Sequence, residues 1–252
     1  MIEEQFASGD SFVHGLDPRM KIITAFIYAV VVALSSRFAA LLAALAVSVV
    51  LIVLARLPLK KVLSRLGMAN SLILFLWIFL PFTYQGKVWF TLGPLQGTRE
   101  GVVFALLITL KCNAILLALI ALLATTPIVA LGHAMGLLRI PDMLIQLFLF
   151  TYRYIHVIFQ EHDRFTKAMK TRGFVPRTNT HTYRSYAYLV GMLLVRSYDR
   201  AERIHKAMLC RGFRGKYHTL SQFSVTRGDV AYFMIMVSVI LGMALIQWKA
   251  IL

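Results

Sequence analysis

The sequence predicts an all-α integral membrane protein, with about five transmembrane helices and a cytosolic region of about three amphipathic helices. Three observations carry this. Of 252 residues, 59% are hydrophobic and only 15% charged, against about 45–50% and about 25% in a soluble domain. Mean hydropathy is +0.72. Yet 27 Lys and Arg stand against 11 Asp and Glu, a formal net charge of +16. Such an apolar composition excludes disorder and argues against an ordinary soluble enzyme. The surplus charge argues against a plain bundle of spans and asks for one strongly basic face.

The elements follow in order. Residues 1–11 hold no apolar core and are not read as a signal peptide. The first apolar run is 22–36, flanked by Arg19, Lys21 and Arg37, and the second is 38–55. As one helix, 22–55 would extend about 50 Å at about 1.5 Å per residue. That exceeds a bilayer core of about 30 Å, so a turn around residues 35–37 is expected. A third span covers 66–84, ending near Pro81. Gly86, Gly93, Gly97, Gly101 and Pro94 mark 86–101 as a loop. The fourth span is 101–125 and the fifth 229–248. The chain thus divides into 1–126 with about four spans, a cytosolic region 127–228, and a C-terminal span within 229–252. Cys112 and Cys210 supply no disulfide framework.

Residues 127–228 read differently from the spans. Thr126-Pro127 and Pro141 signal helix starts. Three helices are expected, over about 127–138, 141–173 and 184–213. Ile155, Ile158, His162, Phe165 and Met169 form one apolar stripe, and Val190, Leu194, Tyr198, Ala201, Ile204 and Met208 another. Glu161, Arg164 and Lys167, and Arg196, Arg200 and Arg203, are read as the opposite, polar faces. With the N-terminus inside, six basic residues of the short inside segments and 16 of residues 127–228 fall on one side. That places 22 of the 27 on the cytoplasmic face by the positive-inside rule.

An internal repeat is the sharpest signal. Residues 164–174 (RFTKAMKTRGF) and 203–213 (RIHKAMLCRGF) align without gaps, with seven of eleven positions identical at an offset of 39. Each is a helix end: basic residues suit the negative C-terminal dipole, and Gly173 and Gly212 suit a left-handed position beyond it. Ordinary basic helix stops explain one copy. Two copies instead present paired arginines, Arg172 and Arg211, whose planar forks suit a carboxylate-bearing groove on a partner.

At these residues the chain resembles the transmembrane coupling (T) component of energy-coupling factor (ECF) transporters, in particular the CbiQ type of cobalt and nickel systems. The family's paired Ala-Arg-Gly-like signatures match Thr171-Arg172-Gly173 and Cys210-Arg211-Gly212, with Thr and Cys in place of Ala. Further likeness lies in His14-Gly15-Leu16-Asp17-Pro18-Arg19-Met20-Lys21, Thr125-Thr126-Pro127, Leu138-Arg139-Ile140-Pro141 and Tyr152-Arg153-Tyr154. The resemblance implies a non-catalytic scaffold in a bacterial or archaeal cell membrane. Two ATPase subunits would be met through Ala168, Thr171, Arg172 and Gly173, and through Ala207, Cys210, Arg211 and Gly212. A membrane S component would bind substrate, cobalt or nickel by likeness to this branch. A shared T component serving vitamin uptake is the alternative.

Other functions find less support. No Gly-x-x-x-x-Gly-Lys-Ser/Thr loop occurs, so ATP binding by this chain is not expected. The seven histidines show no metal-ligand spacing, and no cofactor or metal is expected. A membrane enzyme would need clustered acids and histidines, whereas the cytosolic acids are few and scattered. Helix-end arginines are not a nucleic-acid reader; contact with anionic membrane lipid is expected as a secondary effect. Lys111, inside the fourth span, is read as snorkelling in preference to bonding a partner helix or a nearby carbonyl.

Overall fold

The computed structural model describes residues 6, 9, 11–84, 88–92, 95–138, 140–215 and 226–248. Gly86, Lys87, Gly93, Pro94, Arg139, Lys216, His218 and Lys249, used in the sequence reading, lie outside the described residues. Within these limits the chain forms two compact units, one over residues 135–221 and one over residues 4–134 and 222–252.

In the larger unit, Asp17 caps and Pro18 opens α2 (Pro18–Leu34), after a single turn, α1 (Phe12–Gly15). The carboxylate of Asp17 accepts the Arg19 amide, and the ring of Pro18 presets the first helical φ. The chain leaves the helix at Ser35 and re-enters at Arg37, so the break falls where the bilayer thickness demands one. Helix α3 (Phe38–Leu54) follows. Helix α4 (Leu59–Thr83) starts earlier than the apolar run, because Lys60, Lys61 and Arg65 are exposed and nothing about a solvated cation stops a helix. The stretch read as a loop contains a small antiparallel hairpin, β1 (Val88–Leu92) with β2 (Leu95–Thr98), before α5 (Arg99–Leu122). The C-terminal helix of this unit, α9, covers Arg227–Trp248. Helices α4, α5 and α9 are long and apolar enough to cross a bilayer. Helices α2 and α3, at 17 residues each, are shorter.

Helix α5 is the axis of this unit, packing against α2, α3 and α4, while α9 packs on α2 and α3. Close approach is set by small side chains. Ala40, Ala44, Ala114, Ala118 and Ala121 are each at most 1% exposed. Of the small residues at 29–48, Ala33, Ala39 and Ala46 face outward, so only part of that set serves packing. Between the alanines, Tyr28 Oη donates to the Ala44 carbonyl (2.7 Å) and meets Ser48 Oγ (2.6 Å), which reaches the Ala114 carbonyl (2.8 Å). These contacts tie α2, α3 and α5 without leaving a hydroxyl unsatisfied in hydrocarbon. Lys111 Nζ donates to the Ala33 carbonyl at 2.8 Å, in the last turn of α2 where carbonyls lack helical partners. Snorkelling is therefore not how this charge is accommodated; the helix end supplies an acceptor.

The smaller unit contains the end of α6 (Ile128–Leu137), α7 (Asp142–Thr171) and α8 (Thr180–Cys210). Helix α8 begins four residues before the expected 184. Asn179 is the reason: its Oδ1 accepts both the amide (2.9 Å) and the hydroxyl (2.7 Å) of Thr182.

The α4–α5 contact turns on Gly101, where an added Cβ would stand 2.7 Å from the Leu80 carbonyl oxygen and 2.8 Å from Pro81 Cα. Backbone cannot step aside as a side chain can. Gly101→Ala should therefore cost about 1–3 kcal/mol. Gly67→Ala, with nothing within 4 Å, should be neutral or stabilise by up to about 1 kcal/mol. Thermal unfolding of the two variants in detergent checks this, and equal melting shifts would contradict it.

Candidate functional site

The two copies of the repeat fold into the same helix stop. Helix α7 is capped by Arg172 (φ −85°, ψ 12°) and followed by Gly173 at φ +77°. Helix α8 is capped by Arg211 (φ −91°, ψ 11°) and followed by Gly212 at φ +77°. Phe174 N–H donates to Met169 O (3.1 Å) and Gly173 N–H to Lys170 O (3.0 Å). Phe213 N–H donates to Met208 O and Gly212 N–H to Leu209 O, both at 3.0 Å. Both are Schellman motifs, in which a left-handed glycine turns the chain back and satisfies two terminal carbonyls. Ala168, Thr171, Arg172 and Gly173, with Ala207, Cys210, Arg211 and Gly212, are all exposed. Thr171 Oγ1 donates back to the Ala168 carbonyl (2.9 Å). Among the described residues neither Arg172 nor Arg211 is in an ion pair.

A cavity of about 760 Å³ opens beside the end of α8, and Arg153, Arg211 and Arg214 line it with Tyr154 and Phe213. Arg153, taken in the sequence only as part of Tyr152-Arg153-Tyr154, is thus brought to the second signature arginine. Its position on α7 gives no local hint of that meeting.

The polar faces of α7 and α8 depart from expectation. Glu161 is not on a solvated face: it is 6% exposed and sits between the helices. Arg196 of α8 is hydrogen-bonded to Glu161 Oε1, Arg200 approaches Oε2 at 3.8 Å, and Arg164 at 3.5 Å. The Arg196 guanidinium also stacks over Phe165, 4.5 Å from the ring centroid. A lone acid opposite arginines four residues apart is the pattern that could have revealed this pin. Beside it lies an apolar cavity of about 290 Å³ lined by Ile158, Ala201, Ile204 and Met208, so the lower part of the α8 stripe faces α7. The upper part, Val190, Leu194 and Tyr198, is exposed.

In the larger unit, two of the sequence stretches that carried the resemblance, around Asp17 and around Thr126, meet at a buried cluster completed by Asp229. Asp229 lies outside every stretch that carries the resemblance. Among the described residues no three His, Cys, Asp or Glu side chains gather as a metal site would require.

Comparison with known proteins decides the family. The model of the CbiQ family, described as cobalt transport protein, matches residues 9–221. The chain belongs to this family. Several relatives share most of their length with it. The energy-coupling factor transporter transmembrane protein EcfT of Bacillus subtilis is 29% identical over 228 residues, covering 85% of each chain. EcfT of Limosilactobacillus fermentum is 30% identical over 220 residues, covering 82% of each. EcfT of Leuconostoc gelidum is 29% identical over 233 residues, covering 86% of this chain and 87% of the relative. This member of the CbiQ family is therefore a multi-pass membrane protein and a transmembrane component of a transport system.

Two substitutions test the geometry of the coupling region. A β-carbon at Gly212 meets nothing within 4 Å, so Gly212→Ala carries only the left-handed backbone cost, about 1–2 kcal/mol. Gly212→Asn should recover much of it, because Asn tolerates that conformation; thermal melts of the pair measure the difference. Glu161→Gln keeps the shape and removes the charge. Its arginine partners are 37–76% exposed and stay solvated, so the loss should be about 1–2 kcal/mol, below the cost of breaking a fully buried pair. Limited proteolysis within 172–179 should accelerate correspondingly.

Proposed function

We propose that this chain is the coupling subunit of an ECF-type importer, transmitting the motion of two ATPase subunits to a substrate-binding membrane S component. The observation that carries the reading is the duplicated helix stop. Two helices of about 45 Å each end in an exposed Arg-Gly with matching backbone angles, and the two copies come from one sequence repeat. A single basic cap satisfies a helix dipole; a matched pair suits two copies of one acidic groove, one on each ATPase. Arg172 and Arg211 are the contacts, with Ala168, Thr171, Gly173, Ala207, Cys210 and Gly212 keeping the approach open by their small size. ATP is bound and hydrolysed by the partners, and this chain is not itself an enzyme. The N-terminus and residues 127–228 face the cytoplasm, where the basic surplus falls.

The cargo is Co²⁺ or Ni²⁺. The family description, cobalt transport protein, supports this. The EcfT relatives, whose name specifies no cargo, are equally compatible with a second reading, a shared subunit serving vitamin carriers. Purification with partners retained identifies the S component and separates the two.

Arg172→Ala with Arg211→Ala should reduce co-purification of the ATPase subunits. Each lost charge-assisted contact weakens binding by about tenfold or more, and the double lysine variant should recover only part of it. Uptake should fall with assembly. Unchanged assembly and uptake in the double alanine variant would refute the docking role.

A further inference from the structure

The larger unit carries a buried ionic cluster that no part of the docking scheme uses. Lys21, in the first turns of α2, is 0% exposed. Its Nζ donates to Thr126 Oγ1 at 3.0 Å, and it lies in the field of the Asp229 and Asp17 carboxylates. Asp229 is 2% exposed and does two things at once. Its Oδ2 accepts the Thr226 amide (2.8 Å) and hydroxyl (2.7 Å), while the Asp229 amide approaches Thr226 Oγ1 (3.4 Å). That is a capping box at the start of α9. Its Oδ1 accepts the backbone amide of Asp17 at 2.9 Å. Asp17, 5% exposed, caps α2 and has a buried Oδ2 without a hydrogen-bond partner among the described residues. Arg19 stands 3.8 Å from the other oxygen of Asp17.

The chain positions of these residues give the cluster its meaning. Thr126 ends the passage out of α5, just before α6 and shortly before the unit of residues 135–221 begins. Thr226 and Asp229 lie just after that unit ends. The last turn before departure is bound to the Lys21 ammonium and the first after return to the Asp17 amide, so both are tied to the start of α2, with Asp229 in the field of Lys21. Around Thr126 the satisfaction is complete: its hydroxyl donates to Leu122 O (3.2 Å), and Thr125 Oγ1 to Ala121 O (2.9 Å). Two independent tethers would let a force on the intervening unit be absorbed by sliding or fraying of either helix end. Tethers joined through one buried charge cluster cannot move separately without stranding a charge away from water.

We propose that Lys21, with Asp17, Thr126 and Asp229, forms the fixed root of the coupling region, and that Lys21 is a positioning residue for transport. Displacement imposed at the Arg-Gly ends is delivered to the membrane helices because both chain connections are held at one point. This rests on the reading of the chain as a coupling subunit.

The test uses the assembled transporter in proteoliposomes, with three readouts: ATPase subunits retained, ATP hydrolysed, and substrate taken up per ATP. Thr126→Val removes the acceptor of Lys21 without changing size, and Thr126→Ser keeps it; Lys21→Met removes the charge. Expected are retained ATPase subunits and hydrolysis for Thr126→Val and Lys21→Met, with uptake per ATP reduced about tenfold, and recovery in Thr126→Ser. Hydrogen exchange should rise together at 126–131 and 226–231 in Lys21→Met. Uptake per ATP equal to wild type in Thr126→Val, or falling only with the amount of folded complex, overturns the proposal. Should Lys21→Met fail to fold, Thr126→Val against Thr126→Ser decides alone. A wild-type chain that retains no ATPase subunits refutes instead the coupling-subunit reading.

Discussion

Inside a bilayer a polar group has no water to return to, and that constraint organises this molecule. Several polar side chains drawn into the helical unit are held by a partner from a distant part of the chain: Ser48 by Tyr28 and the Ala114 carbonyl, Lys111 by the end of α2, Lys21 by Thr126. Burial of apolar area cannot by itself select one arrangement there, since lipid is as apolar as leucine. Small side chains set how close the helices come, and these polar pairs set which residues face one another. Helix α5 supplies or receives several of these ties, which is why it becomes the axis of the unit.

The smaller unit obeys a different balance. Helices α7 and α8 are amphipathic and largely exposed, and their mutual contact is centred on one buried carboxylate among three arginines. Such a pin is weak as a source of stability, because its arginines keep much of their solvation. It is strong as a specification of register, since a shift of either helix by one residue takes Arg196 and Arg200 away from Glu161. A unit that is specified but not heavily stabilised suits the proposed role of a part moved by partners.

The twin Schellman ends connect the two levels of description. Left-handed glycine and basic cap are local chemistry, and both were readable from eleven residues of repeated sequence. The start of α8 is legible too, since Asn179 stands three residues before Thr182, although Gly173 and Pro176 nearby read as a link that extends to about 182. The early start of α4 was less readable, because charged residues at a membrane surface are compatible with helix and with loop alike.

From the chain alone came the class, the break at 35–37, the duplicated helix stop and the resemblance to ECF coupling components. All of these depend on local periodicity, length or short-range chemistry, which sequence order preserves. Tertiary structure decided the partners of isolated charges. That Glu161 lies between helices, that Arg153 reaches the end of α8, that Lys21 meets Thr126 and that Asp17 meets Asp229 involve residues from 35 to over 200 positions apart. A charge in sequence announces only that a partner is needed; which one it finds is set by how helices pack, and that is a property of the folded chain.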